Sequence, residues 1–271
     1  MRAPTLALIV MLAAGGGAAG QALPYHVDPS AREIAPNLSA VPSIRFLTTA
    51  DFPPFNYRDA DGQLIGFNVD LARALCEELE VACTIQAWPW EQVSRALADN
   101  QGDALIAGLA ITPENGEAFD FSSIYLALPA RFVTRVADAR GFDPLASLAG
   151  KRVAVRTGST HAEFLRRYLA NVEPVEFDAE PDGLEALEAG NVDAWFGDAM
   201  RASFWLNDNI GCCDFAGEPY FRPDLFGEGF AVAVPAGHDS VRQAIDYGLV
   251  RLKRAGIYDE IYLRWFPVSF Y

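Results

Sequence analysis

The sequence predicts an α/β protein built as two lobes, and three observations predict it. Strand-like and helix-like segments alternate from residue 44 onward, the pattern of parallel sheets flanked by helices. Ala104-Leu105-Ile106-Ala107 is a nearly continuous apolar run, as expected of a strand covered on both faces. With an N-terminal leader set aside, roughly 250 of the 271 residues remain, more than the usual single core of about 100 to 150 residues.

The leader comes first. Arg2, the apolar stretch Ala7 to Ala14 (ALIVMLAA) and the small residues Gly15 to Gly20 have the layout of a cleavable secretory signal, assigned to residues 1–22. Its apolar part falls short of the about 20 residues that span a bilayer. No cysteine precedes Cys76 to carry a lipid, so a soluble periplasmic protein is expected. Residues 23–42 are polar, proline-containing and aperiodic, and read as a lead-in.

The folded body opens with a strand, Ile44 to Thr48, and a loop, Asp51 to Asn56, broken by Pro53 and Pro54. Asp61-Gly62 signals a hairpin turn with Leu64 to Phe67 as return arm. A helix is predicted from Asn68, which can cap it, with Asp70 in the first turn and Val69, Ala72, Leu75, Cys76 and Leu79 on one face. Strand Cys83 to Ala87, helix Glu91 to Leu97 and strand Ala104 to Ala107 follow. A second set comprises strand Arg152 to Val155, helix His161 to Leu169, strand Val175 to Phe177, helix Asp182 to Ala189, strand Ala194 to Phe196 and a helix from Met200. The chain ends in a strand, Phe230 to Val234, and helices Ser240 to Arg254 and Ile257 to Trp265. Two such blocks with a returning strand predict two sheets joined by two crossings. Open α/β sheets bind ligands beyond the carboxyl ends of their strands, so both sets of strand ends are expected to border one cleft.

Half of the residues are apolar, which excludes a disordered chain. A net charge of −15 argues against nucleic acid or an anionic membrane as partner. Four cysteines in an exported chain invite disulfides. Cys76 and Cys83, at a helix end and on the next strand, are expected to pair, while the state of the adjacent Cys212 and Cys213 stays open.

Gly66-Phe67-Asn68-Val69-Asp70-Leu71-Ala72 closely resembles the signature of bacterial extracellular solute-binding proteins of family 3, polar amino-acid receptors of ABC transporters. Further stretches stand in the family's order: Pro54-Phe55, Gly102-Asp103, Ala107 to Thr112, Phe119 to Ser122, Arg152 to Val155 with Thr157-Gly158-Ser159, Asp193-Ala194 with Asp198, and Gly256 to Phe266. The resemblance implies a type II periplasmic-binding-protein fold that closes about a two-crossing hinge. Lobe 1 would hold residues 43–130 and 230–271, and lobe 2 residues 131–229. It also implies a monomer without cofactor or metal, with a small polar solute and an inner-membrane ABC permease as partners, and it strengthens the Cys76–Cys83 pairing.

Site residues carried over by the resemblance each have a plainer alternative. Phe52 and Trp90 stand where the family sandwiches its ligand between rings, although rings also simply pack. Gly108 and Ala110 follow the buried strand and can offer backbone groups, but Ala110 lacks the hydroxyl that the family often has there. Three residues after Thr112 the family places an arginine that clamps the ligand carboxylate, and this chain has Asn115. Either another cation supplies that charge or the ligand lacks a free carboxylate. Arg156 is the substitute donor, ahead of a loop through Thr160 whose helix-start N–H groups favour an anion. Asp198 is expected to receive an ammonium group or to cap the next helix. Asp51 stands at the cleft mouth on weaker grounds.

The histidines, His26, His161 and His238, are scattered, and no zinc, nucleophile-elbow or phosphate-loop pattern occurs. The expectation is a binding protein rather than an enzyme. A cyclohexadienyl dehydratase-like lyase, or an accessory binding protein of a periplasmic oxidation system, is the alternative.

Overall fold

In a computed structural model, residues 35–266 and 268–271 are described; the leader and the first part of the lead-in lie outside them. From the N-terminal side run β1 (Ser43–Thr48), β2 (Asp51–Phe52), β3 (Asn56–Arg58), β4 (Leu64–Ile65), α1 (Phe67–Leu79), β5 (Ala82–Ala87), α2 (Trp90–Ala98), β6 (Ala104–Leu105) and β7 (Phe119–Phe121). After a first crossing come β8 (Ala130–Arg135), α3 (Val136–Ala139), α4 (Pro144–Ser147), β9 (Arg152–Arg156), α5 (Thr160–Tyr168), β10 (Glu173–Phe177) and α6 (Glu180–Glu188). That half ends with β11 (Ala194–Asp198), α7 (Ala199–Asp208), β12 (Cys213–Tyr220) and α8 (Pro223–Phe226). The chain then crosses back into β13 (Ala233–Pro235), α9 (Asp239–Arg254) and α10 (Ile257–Trp265).

Two five-stranded sheets result, ordered β5-β1-β6-β13-β7 and β10-β9-β11-β8-β12, beside a small β2-β3-β4 sheet. The sheets are mixed rather than parallel as predicted. β1 runs parallel to β5 and β6, but β13 is antiparallel to β6, and β8 is antiparallel to β11. Strands β8 and β13 receive the chain from the crossings, at the end where the parallel strands finish, so each must run back against them. Alternation of apolar segments with helices does not register this reversal, and β8 and β12 were not predicted.

Each sheet buries its own apolar set. Around α1, Phe46, Phe67, Leu71 and Leu75 pack with Ile245 and Leu249 of α9 and with Tyr258 and Tyr262 of α10. In the second sheet Phe132, Val155, Leu165 and Phe196 fill one face, and Val133, Ala154, Leu187 and Trp195 the other. The alternation of Phe132 and Val133 between faces is the period of two that a strand dictates.

Asn68 does not cap α1. Gly66 holds the cap position at φ 135°, and a Cβ there would lie 2.2 Å from the Phe55 carbonyl oxygen. Asn68 is instead buried: its amide donates to Asn56 Oδ1 and accepts from the Tyr125 hydroxyl, both at 2.8 Å. Asn56 in turn donates to Thr49 Oγ1 at 2.8 Å. This chain of satisfied polar groups fixes Thr49 beside the cleft. Sulfur–sulfur bonds join Cys76 to Cys83, linking α1 to β5, and Cys212 to Cys213 at the start of β12.

Candidate ligand cleft

The ends of β1, β2 and β6 and the start of α2 enclose a hollow of about 340 Å³ lined by Thr49, Asp51, Phe52, Trp90, Ala107 and Gly108. The rings of Phe52 and Trp90 are 37% and 46% exposed. Together they give the hollow an apolar wall open to whatever enters it. Trp90 opens α2 rather than sitting in the preceding loop. Phe52 is held from behind by Phe55, with centroids 4.8 Å apart, and Phe55 packs edge-on against Phe230 at 4.9 Å. Gly108 passes beneath these rings at φ 75°, where a Cβ would come within 3.1 Å of the Phe52 ring and 3.4 Å of Phe230. Glycine meets both the left-handed backbone and the close approach.

A second hollow, of about 380 Å³, meets the first at Gly108. Ala110, Ile111 and Thr112 line it from the first sheet's side, Pro223 and Phe226 from the second, and Gly227 to Phe230 along the return crossing. It is therefore a cleft between the two sheets. The crossings are tied by backbone bonds, Phe230 N–H to Leu126 C=O at 2.7 Å and Tyr125 N–H to Phe230 C=O at 2.8 Å.

Two contacts tie the ends of the second sheet's elements to this region. The His161 ring stacks on Phe226 at 4.7 Å, which places the start of α5 against the second hollow. The Ala199 N–H donates to Pro129 C=O at 3.0 Å, which pins the end of β11 to the first crossing. Burial, and secondarily the Arg156 charge, pulls His161 down to about 4, so its ring is neutral at pH 7. Asp198 caps α7, accepting from the Arg201 N–H at 3.0 Å, and burial raises its carboxyl above the usual carboxylate range. Glu180, at the start of α6, is also raised by burial, with Arg201 and Arg156 acting against that shift and Asp198 with it. Arg201 reaches Glu180 at 3.5 Å.

Of the predicted site residues, Phe52, Trp90 and Gly108 line the first hollow, and Gly108 and Ala110 the second. Arg156, Thr160 and Asp198 stand at the second sheet's strand and helix ends and line neither hollow. Asn115 is not brought to either: its amide donates to Ala110 C=O at 2.8 Å and its N–H to Thr112 Oγ1 at 3.2 Å, closing its own turn. Sequence reasoning missed Glu180, Arg201, Glu228 and Phe230. A scan of every strand-to-helix crossing would have reached Glu180, which opens α6 after β10, as Asp198 ends β11 and caps α7.

The sequence model described as "Bacterial extracellular solute-binding proteins, family 3" matches residues 44–268. The chain belongs to this family. This family-3 protein is 31% identical over 240 residues to the L-arginine-binding protein of Pseudomonas aeruginosa, covering 87% of this chain and 92% of that one. Its fold matches the L-cystine solute receptor of Neisseria gonorrhoeae in the unliganded open conformation, with a TM-score of 0.73 and 21% identity over 84% of this chain and 94% of that one. An ancestral cyclohexadienyl dehydratase matches with a TM-score of 0.72 and 25% identity over 88% of this chain and 99% of that one. The family-3 fold is thus the two-lobed type II periplasmic binding fold, and its members are binding proteins. Among the described residues no cluster of His, Cys, Asp and Glu suits a metal ion, and no helix is long and apolar enough to cross a membrane.

Proposed function

We propose that the chain is a periplasmic receptor that encloses one small, positively charged or zwitterionic solute between its lobes and presents the closed form to an inner-membrane ABC permease. The observation that carries this reading is the pair of hollows meeting at Gly108 between two sheets, walled by exposed rings on one side. Phe52 and Trp90 would cover the solute's apolar stem, and Asp198 would receive its cationic group from the other lobe. Arg156 and the first N–H groups of α5 are the donors for any anionic group. The relative from Pseudomonas is named for arginine, which agrees with a cation in the cleft. Export by cleavage of residues 1–22 and a monomeric state complete the proposal.

A ligand favours closure only by its greater affinity for the closed form. The test is a melting screen of the purified protein against amino acids, amines, small acids and sugars, followed by small-angle scattering. One class should raise the melting temperature and contract the particle. A screen in which nothing does so refutes the receptor reading.

The likeness to the ancestral dehydratase favours one second reading, a lyase acting on a cyclohexadienyl acid. Turnover of prephenate or arogenate by the purified protein is the outcome that would establish it. The carboxylates Asp51 and Glu228 in the cleft oppose such anionic substrates.

A further inference from the structure

Among the described residues lining the first hollow, Asp51 carries the sole charge, and among those lining the second, Glu228 does. Neither carboxylate forms an ion pair within the described residues. Arg58 shares a separate hollow with Asp51 and turns its guanidinium to the Gly62 carbonyl at 2.7 Å. The cations at the second sheet's strand ends already stand near acids: Arg201 pairs with Glu180, Arg156 lies within electrostatic reach of the same carboxylate, and Arg222 pairs with Asp224 at 2.7 Å. Asn115 spends its amide on Ala110. A carboxylate seated against Gly108 would therefore lose its water without gaining a cation from the first lobe, and would meet two like charges.

We propose that the cleft selects an aliphatic solute with a cationic group at each end and no carboxylate: a diamine or a guanidinoalkylamine. Asp51 at the first hollow and Glu228 at the second hold the two ends, and the Phe52 and Trp90 rings cover the methylene stem between them. The two hollows meet at Gly108, so one extended molecule can occupy both. This selection rests on the receptor reading above and narrows it to a ligand class.

The test compares agmatine, butane-1,4-diamine and L-arginine by titration calorimetry on the purified protein. Agmatine and arginine share the guanidinium and the stem and differ by the carboxylate alone. Agmatine should bind at least about 30-fold more tightly than arginine. Asp51→Asn and Glu228→Gln should each weaken agmatine by a similar factor, with circular-dichroism melts showing the fold intact. Asn115→Arg should shrink the preference by strengthening arginine. Arginine binding as tightly as agmatine, or no binding of either agmatine or the diamine, overturns the proposal. If the melting screen then finds a ligand of another class, the receptor reading stands alone; if it finds none, both fall.

Discussion

Replacing Asp198 by Asn separates the charge of this residue from its structural duty. Asn caps a helix about as well as Asp, so the bond from the Arg201 N–H at 3.0 Å survives and α7 keeps its start. Burial raises the Asp198 carboxyl pKa, so ionisation is what the folded state resists. The signs follow from linkage. With the folded pKa above the unfolded value near 3.8, the folded state holds the proton more tightly, and this group's contribution to stability falls as pH rises through that window. At pH 7 the ligand-free Asn variant should therefore melt no lower than the wild type. Binding should move the other way. Losing the carboxylate opposite a desolvated ammonium or guanidinium costs about 2 to 5 kcal/mol, a loss of about 30-fold to several-thousand-fold in affinity. Titration calorimetry with the ligand that the melting screen finds measures the loss, and differential scanning calorimetry measures the melt. An affinity within about 3-fold of wild type in a normally folded variant would remove Asp198 from the binding surface.

Gly108→Ala should destabilise the fold by about 1 to 2 kcal/mol through its left-handed backbone. It should also weaken ligand binding, since the new methyl displaces the Phe52 ring; urea titration and calorimetry read the two effects. Asn68→Ala leaves Asn56 Oδ1 and the Tyr125 hydroxyl without their buried partner, at about 1 to 3 kcal/mol for each orphaned group. Its denaturation midpoint should fall accordingly. His161 is held down at about 4 against an unfolded value near 6.5, so between those pH values the unfolded chain binds more protons and stability rises with pH. His161→Phe keeps a ring against Phe226 and should flatten that rise in urea melts at pH 4.5 and pH 7, whereas an unchanged slope would show that the acid sensitivity resides elsewhere.

Much of this architecture is legible in the residues because burial writes a period into them. The two-faced strand at Ala104 to Ala107 and the amphipathic run from Ser240 to Arg254 both stand where their patterns placed them, apart from boundary shifts of one or two residues. Strand direction left no such trace. β8 reads Ala130-Arg131-Phe132-Val133-Thr134-Arg135, and its polar members hid a strand that packs on both faces. Arg131 is buried there, donating to the carbonyls of Tyr271 and Gly217, partners more than 80 residues away that local pattern cannot supply. The same holds for the cleft. Ring and glycine positions could be named from the family resemblance and their places near strand ends, whereas Glu180, Arg201 and Glu228 gain meaning only from what stands beside them. Asn68 illustrates the reverse error, a good capping residue claimed by tertiary hydrogen bonds instead.

The place of β13 within its sheet sets an order of assembly. It lies between β6 and β7, and α9 and α10 then pack on α1, so the first lobe stays unfinished until the last segment of the chain has been delivered. Strands β8 to β12 are contiguous in sequence and need nothing downstream to complete their ladder. During export the middle of the molecule can consolidate while its N-terminal portion waits, exposed, for the C-terminal helices to arrive. A chain truncated before residue 230 should therefore retain the second lobe as a folded unit and lose the first to proteolysis.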